Sequence, residues 1–322
     1  MKKKIILIIT ISLVTVFIGL IIANLILFNN LATYDSNLTI DKENNILYTN
    51  STEDIKVLQI SDIQVDGYHD MLDPFLKIKQ IIKLTTPDLI VITGDTLDNI
   101  GGKKDIIKIA NFMDSFQIPW APVYGNHDHW ARVSIKEQNK IYESSKYCLF
   151  KTGDVADSNG NYYYTIKNQN EAIYSLIFMD SKEKGFNAHH TIWYESVINK
   201  INQENNKTVP NMVFCHIPIP EIVDAYDAYV KDNSIGTGVT GEEVSPHEHN
   251  YGIFDKMVEL GSTKIVAFGH DHVNSLHVKY KDIMLCYGLK IGYTSYYDKN
   301  IQGGCLYTIS SNKEVTIEKI FL

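Results

Sequence analysis

Lys264-Ile265-Val266-Ala267-Phe268-Gly269-His270-Asp271-His272 places an apolar run directly before two imidazoles two positions apart. Histidine is the commonest metal ligand, and a His-x-His pair on a tight turn can aim both rings into one cleft. Four other segments end in the same way. Ile55–Ile60 runs into Ser61-Asp62 with Gln64 close behind, and Asp88–Ile92 runs into Gly94-Asp95. Pro119–Tyr124 runs into Gly125-Asn126-His127-Asp128, and Val209–Phe214 runs into Cys215-His216. Taken singly, an Asp or Asn after a strand is a common turn or cap residue. Five apolar runs that each close on Asp, Asn or His call for a shared explanation.

The intervening sequence supplies it. Pro74–Leu84 has helical spacing, with Phe75, Ile78, Ile81 and Ile82 on one side, and Asp105–Phe116 is helical again. Strand, helix, strand, helix, strand is the pattern of a parallel sheet covered on both faces, where functional residues gather at strand ends. Further on, Arg132–Ser144, Thr191–Asn202 and Asn250–Leu260 read as helices, and Asn161–Ile166 with Ala172–Met179 as paired strands. A long connection spans Glu221–Ser245, with Gly236, Gly238 and Gly241 close together. Alternating runs near 275–280, 283–287, 305–310 and 314–321 predict antiparallel strands of a second sheet.

The chain divides into a basic tail over 1–4, an apolar stretch over 5–28, a polar spacer over 29–54 with one short strand near Asn45–Tyr48, and a catalytic domain over 55–322. Residues 5–28 carry no charge and would make about 36 Å of helix, enough to span a bilayer. A cleaved leader would have an apolar region of roughly 7–15 residues and a small-x-small site. The expectation is therefore an uncleaved anchor, with the N-terminus cytoplasmic and the rest of the chain extracellular. The formal net charge of −8 argues against a nucleic-acid partner, whose phosphates would need clustered Lys and Arg. The four cysteines form no C-x-x-C pair, which gives no support to a zinc ribbon or a thioredoxin site. Cys286 and Cys305 are left as a candidate pair.

Carboxylate, amide oxygen and imidazole together suit Fe, Mn or Zn rather than a thiolate site. The candidates Asp62, Asp95, Asn126, His216, His270 and His272, with Gln64 as a further one, exceed the needs of a single ion. Two ions bridged by one carboxylate could clamp an in-line displacement at phosphorus and acidify a water.

In this combination the chain resembles the calcineurin-like metallophosphoesterases. Their series of D-x-H, G-D, G-N-H-D or G-N-H-E, a histidine after a strand, and G-H-x-H stands here as Asp62-Ile63-Gln64, Gly94-Asp95, Gly125-Asn126-His127-Asp128, His216 and Gly269-His270-Asp271-His272. Pro87-Asp88-Leu89-Ile90, His216-Ile217-Pro218-Ile219-Pro220-Glu221 and Leu285-Cys286-Tyr287-Gly288 look like the purple-acid-phosphatase-related branch without the extra N-terminal domain. The resemblance implies a four-layer α/β/β/α sandwich and two divalent or mixed-valence ions. By it, Asp95 bridges, Asp62 and His272 hold one ion, and Asn126, His216 and His270 hold the other. His127 assists the leaving oxygen, and Asp128 orients it. The implied activity is hydrolysis of a small-molecule phosphate ester, with a monoester favoured over a diester or nucleotide; a degenerate, non-catalytic surface-binding module is the alternative. Two positions depart from the pattern. Gln64 stands where many members carry His, and Asp98 stands where purple enzymes carry Tyr. On the substrate side the candidates are His69, His247 and His249, and after them Tyr68, His129, Trp130, His189, His190, Glu242 and Glu243.

Overall fold

Apolar runs and amphipathic stretches fold here as two β-sheets laid back to back, with helices on both outer faces. The computed structural model describes residues 34, 36–67, 69, 71–155 and 158–322. The basic tail 1–4, the anchor expected over 5–28 and Tyr68 lie outside them. The strands are β1 (Thr39–Asp41), β2 (Ile46–Thr49), β3 (Ile55–Ile60), β4 (Leu89–Thr93), β5 (Trp120–Val123), β6 (Tyr162–Asn168), β7 (Glu171–Phe178), β8 (Asn211–Phe214), β9 (Gly236–Thr237), β10 (Thr263–Phe268), β11 (His277–Tyr280), β12 (Ile283–Tyr287), β13 (Gly303–Ile309) and β14 (Val315–Phe321). The helices are α1 (Leu72–Thr85), α2 (Lys103–Asp114), α3 (Asn126–Trp130), α4 (Ile135–Ser144), α5 (Ala188–Asn205), α6 (Ile222–Lys231) and α7 (Ile253–Leu260).

The smaller sheet runs β14-β13-β3-β4-β5, and the larger runs β1-β2-β6-β7-β8-β10-β12-β11-β9. In the first, β3, β4 and β5 are parallel; in the second, β7, β8, β10 and β12 are. Strands β4, β5 and β8 are buried at every position, as strands covered on both faces must be. Helices α1 and α2 cover the smaller sheet, with Phe75 stacked on Phe112 at 4.1 Å between ring centroids. Helices α5, α6 and α7 cover the larger one. Aromatic rings fill the layer between the sheets: Phe178 lies 5.5 Å from Phe214, and Phe214 lies 6.2 Å from Tyr307. Gln59, fully buried in that layer, donates to the Thr93 hydroxyl (2.9 Å) and the Phe268 carbonyl (3.1 Å) and accepts from Tyr307 (2.7 Å). One amide thus joins β3 and β4 to β10, across the two sheets.

The pairing departs from expectation in the second half. Strands β11 and β12 extend the larger sheet, with β12 parallel to β10, while β13 and β14 complete the smaller one beside β3. Alternation marks a strand without naming its neighbour. The described part of 29–54 is not a free spacer. Strands β1 and β2 form the edge of the larger sheet, β2 parallel to β6, with Leu47 fully buried. Asp88 fastens this segment by accepting from the backbone of Asn37 (3.0 Å) and Lys56 (2.8 Å). The connection 221–245 contains α6, whose Ile222 and Ala225 are buried, a periodicity the following glycines had obscured. All four cysteines are free and buried, and Cys286 and Cys305 belong to different sheets. Among the described residues no helix is long and apolar enough to cross a membrane.

Candidate metal centre

The five strand ends meet, and they come from both sheets. Asp62, Asp95, His216 and His270 each lie two residues beyond the last residue of β3, β4, β8 and β10, and Asn126 opens α3 just after β5. Asp62 (φ 54°), Gln64 (φ 50°), Asp95 (φ 49°) and His270 (φ 78°) are left-handed. Non-glycine residues adopt that conformation only where the surroundings enforce it, and they cluster at functional sites. The turns are also tight. A Cβ on Gly94 (φ 81°) would sit 2.4 Å from His216 Nδ1, and one on Gly125 would sit 2.2 Å from Asp95 Oδ1. Glycine before Asp95 and before Asn126 lets these loops close on each other.

Two imidazoles are aimed from behind. His216 Nδ1–H donates to the Thr93 carbonyl (2.8 Å), and His272 Nδ1–H donates to the Tyr296 carbonyl (3.0 Å). Each ring therefore turns its Nε2 to the site, where that atom can take a metal or a proton. Around His216 Nε2 stand Asn126 Oδ1 at 3.2 Å, Asp95 Oδ1 at 3.3 Å and His270 Nδ1 at 3.3 Å. His272 Nε2 faces Asp62 Oδ1 across 3.4 Å, and that oxygen is buried without a hydrogen-bond donor. Asp62, Asp95 and His216 also offer ligand atoms within 4.8 Å of one another. Three ring nitrogens, two carboxylates and an amide oxygen converge here, a set of lone pairs suited to a cation. The residues present fit a divalent ion.

The electrostatics agree. Burial alone would raise both carboxyls, but the neighbouring His272 and His216 imidazoles hold Asp62 below the usual range, and His216 does the same for Asp95. His216 is pushed up to about 10 because Asp95 outweighs its burial. Burial and the charge of His216 push His270 down to about 4. Without a metal ion, a proton on His216 serves as the cation between the carboxylates.

His127 sits at the rim, its side chain 23% exposed, with Nε2 3.9 Å from Asp95 Oδ2 and Nδ1 3.6 Å from Asp98 Oδ1. Trp130 packs edge-on against its ring at 5.3 Å. Its backbone N–H donates to Asp95 Oδ1 (2.9 Å). The carboxylate expected to orient it does something else. Asp128 is fully buried and accepts from the backbone amides of Leu97 (2.8 Å), Gly125 (2.9 Å) and Thr96 (3.3 Å), riveting the Asp95 loop to the Asn126 loop. Burial and the charge of Asp95 push its carboxyl up to about 7. The carboxylate that faces His127 is Asp98's.

Gln64 is buried at the centre, but its Nε2 donates to Asp95 Oδ2 (3.4 Å) and its Oε1 accepts from Lys290. Lys290, which no spacing argument singled out, is 2% exposed and also donates to the Asp62 carbonyl (3.2 Å). Burial pushes its ammonium down to about 8. A lone lysine between Leu289 and Ile291, in a run otherwise fit for the core, was the available signal. Asp271 latches the 236–247 connection, accepting from Tyr287 (2.6 Å), the Ser245 amide (3.1 Å) and Asn274 (3.3 Å).

The substrate-side candidates scatter. His247 is 5% exposed, takes a hydrogen bond from the Phe186 amide (3.3 Å) and packs edge-on against that ring at 4.5 Å; burial pushes it down to about 3. His249 is exposed beside Tyr251, in a surface groove with Lys182 and Asn187. His69 is exposed and bonded to Asp66, 6.2 Å from Tyr293. His129 binds Asp180 (2.9 Å), and His190 is buried against Ser158 (3.1 Å) and the Asp180 carbonyl (3.0 Å). Exposed Tyr296 packs at 4.4 Å on His272 and donates to Glu242 (2.7 Å), which brings that carboxylate to the rim.

The chain is similar to known proteins. The calcineurin-like phosphoesterase family matches residues 55–274. The chain is 28% identical to probable inactive purple acid phosphatase 29 of Arabidopsis thaliana, over 70% of this chain and 64% of that protein. It is 26% identical to the phosphatase DCR2 of Saccharomyces cerevisiae, over 72% of this chain and 47% of that protein. The match thus spans under two thirds of the length of either relative. A dimetal phosphatase from Danio rerio superposes with a TM-score of 0.55 at 11% identity, covering 80% of this chain and 93% of that one, a likeness of fold. With the family match running from β3 to the residues just past the His270–His272 turn, the chain belongs to the calcineurin-like phosphoesterases.

Proposed function

We propose that the chain hydrolyses a small-molecule phosphate ester with divalent metal held at this centre. The observation that carries the reading is the convergence of Asp95, Asn126 and His270 on His216 Nε2, with His127 beside them at the open rim. A divalent ion there supplies Lewis acidity toward a phosphoryl oxygen and lowers the pKa of water. Asp95 is the carboxylate that both halves of the site share, facing His216 through one oxygen and Gln64 through the other. His127 reaches the rim with its Nδ1 side toward Asp98, so Nε2 is placed to deliver a proton to the departing ester oxygen. A monoester is favoured, on family likeness. The uncharged run 5–28 behind three lysines supports an extracellular domain on a single-pass anchor.

The test is turnover of an aryl phosphate with added Mn²⁺. His127→Ala and Asp95→Asn should each lower kcat by about 100-fold or more. Full activity in Asp95→Asn would overturn the metal-dependent reading. A second reading, a fold kept for surface binding without catalysis, draws on the word inactive in a relative's name and on the Gln64 departure. A purified chain that holds metal but turns over no phosphate ester would favour it.

A further inference from the structure

The two halves of the centre are not equivalent, and the difference lies in Lys290. It follows β12 on a strap bonded along the Asp62 loop: Ile291 N–H donates to the Ser61 carbonyl (3.0 Å), Gly292 N–H to the Asp62 carbonyl (3.2 Å) and Thr294 Oγ1 to the Gln64 carbonyl (2.7 Å). The ammonium this strap delivers is 2% exposed. An ammonium has three donors and no lone pair. Gln64 must therefore turn its carbonyl oxygen to Lys290, and its NH₂ group is left facing Asp95 Oδ2 at 3.4 Å. The Gln64 side-chain atom able to ligate a metal already accepts from a cation, which weakens it as a ligand, and the other end of the amide can only donate. The His216 half keeps four donors of its own, whereas the half beside His272 has Asp62 Oδ1, Asp95 Oδ2 and one imidazole, with a fixed positive charge against the same loop.

We infer that this chain holds one ion tightly, in the pocket of Asp95, Asn126, His216 and His270, and that the Lys290 ammonium stands in for the charge of a second ion beside Asp62 and His272. The inference rests on the metal reading above and narrows it. A buried cation repels a divalent ion and offers no lone pair in exchange, so the second affinity drops while the charge balance of Asp62 and Asp95 is kept.

The experiment is metal analysis and Mn²⁺ titration of the full-length chain, with the electron paramagnetic resonance spectrum of bound Mn²⁺ as a readout independent of activity. The expected result is one tightly bound ion per chain with the spectrum of an isolated Mn²⁺. Lys290→Met, and Lys290→Met combined with Gln64→His, should tighten the second site by at least about tenfold and yield an exchange-coupled pair. A wild-type chain that takes up two ions with similar affinity would overturn the inference even if neither variant folds. So would a folded Lys290→Met chain that still holds a single ion. Two tight ions with phosphate-ester turnover would leave the proposed activity standing, whereas a chain that binds no ion would end both, so the two failures are distinguishable.

Discussion

His127 Nδ1 faces Asp98 Oδ1 across 3.6 Å, while Asp128, its neighbour in sequence, turns away to three backbone amides. The two carboxylates therefore have separable jobs. Asp98→Asn should lower kcat by about tenfold or more through loss of the group that orients the ring, and leave stability within about 0.5 kcal/mol. Asp128→Ala strands buried amides and should cost about 2–4 kcal/mol. Steady-state kinetics and denaturant unfolding of both variants check this. A stable Asp128→Ala chain with a selective loss of kcat would reverse the assignment.

The metal-free chain should lose stability as pH rises. The Asp95 carboxylate pushes His216 up to about 10, from an ordinary value of roughly 6.5. A raised pKa contributes stability that is complete below the unfolded value and lost as pH climbs through the folded one. The thermal midpoint of the chelated chain should therefore fall between about pH 7 and pH 8, above which the lowered pKa of Lys290 offsets the loss. Metal must displace that proton, so uptake near neutral pH should release about one proton per ion, measurable by calorimetry in buffers of different ionisation enthalpy. A flat midpoint and no proton release would show that His216 is neutral in the empty site.

His247→Ala should act on stability and not on substrate. The ring is buried against Phe186, so its removal leaves a hole worth about 2–3 kcal/mol while KM stays within about twofold. Thermal unfolding together with KM for an aryl phosphate decides it; a large rise in KM at unchanged stability would return His247 to the substrate side.

Asp271→Ala should release the 236–247 connection. Three donors lose their acceptor, among them the buried Tyr287 hydroxyl, at a cost of about 2–3 kcal/mol. Limited proteolysis should then cut between Gly236 and His247. If the cleavage pattern matches that of the wild-type chain, something other than Asp271 holds the connection.

The six residues Asp62, Asp95, Asn126, His216, His270 and His272 were legible in sequence for one reason. Each follows an apolar run closely, and a buried strand delivers its C-terminal residues to a predictable edge. Most helix positions were legible through periodicity, down to the eight-residue α7. The short α6 was not, because the glycines after it read as one loop. The edge strands β1 and β2 were hidden for a related reason. They lie in polar sequence, where Leu47 is the main inward anchor.

Sequence alone determined the parallel βαβ core, the glycines that let its loops turn, and the kind of donor offered at each strand end, because period and residue chemistry are local. It could not assign β13 and β14 to the sheet of β3, nor show that Asp98 rather than Asp128 faces His127, nor bring Lys290 to Gln64 from 226 positions away. Those are contacts between segments distant in the chain or between rings and carboxylates on different loops. They exist only once the two sheets have packed and a buried cation has had to find its acceptors. The local pattern marked a candidate metal centre; tertiary packing set a buried lysine beside one side of it.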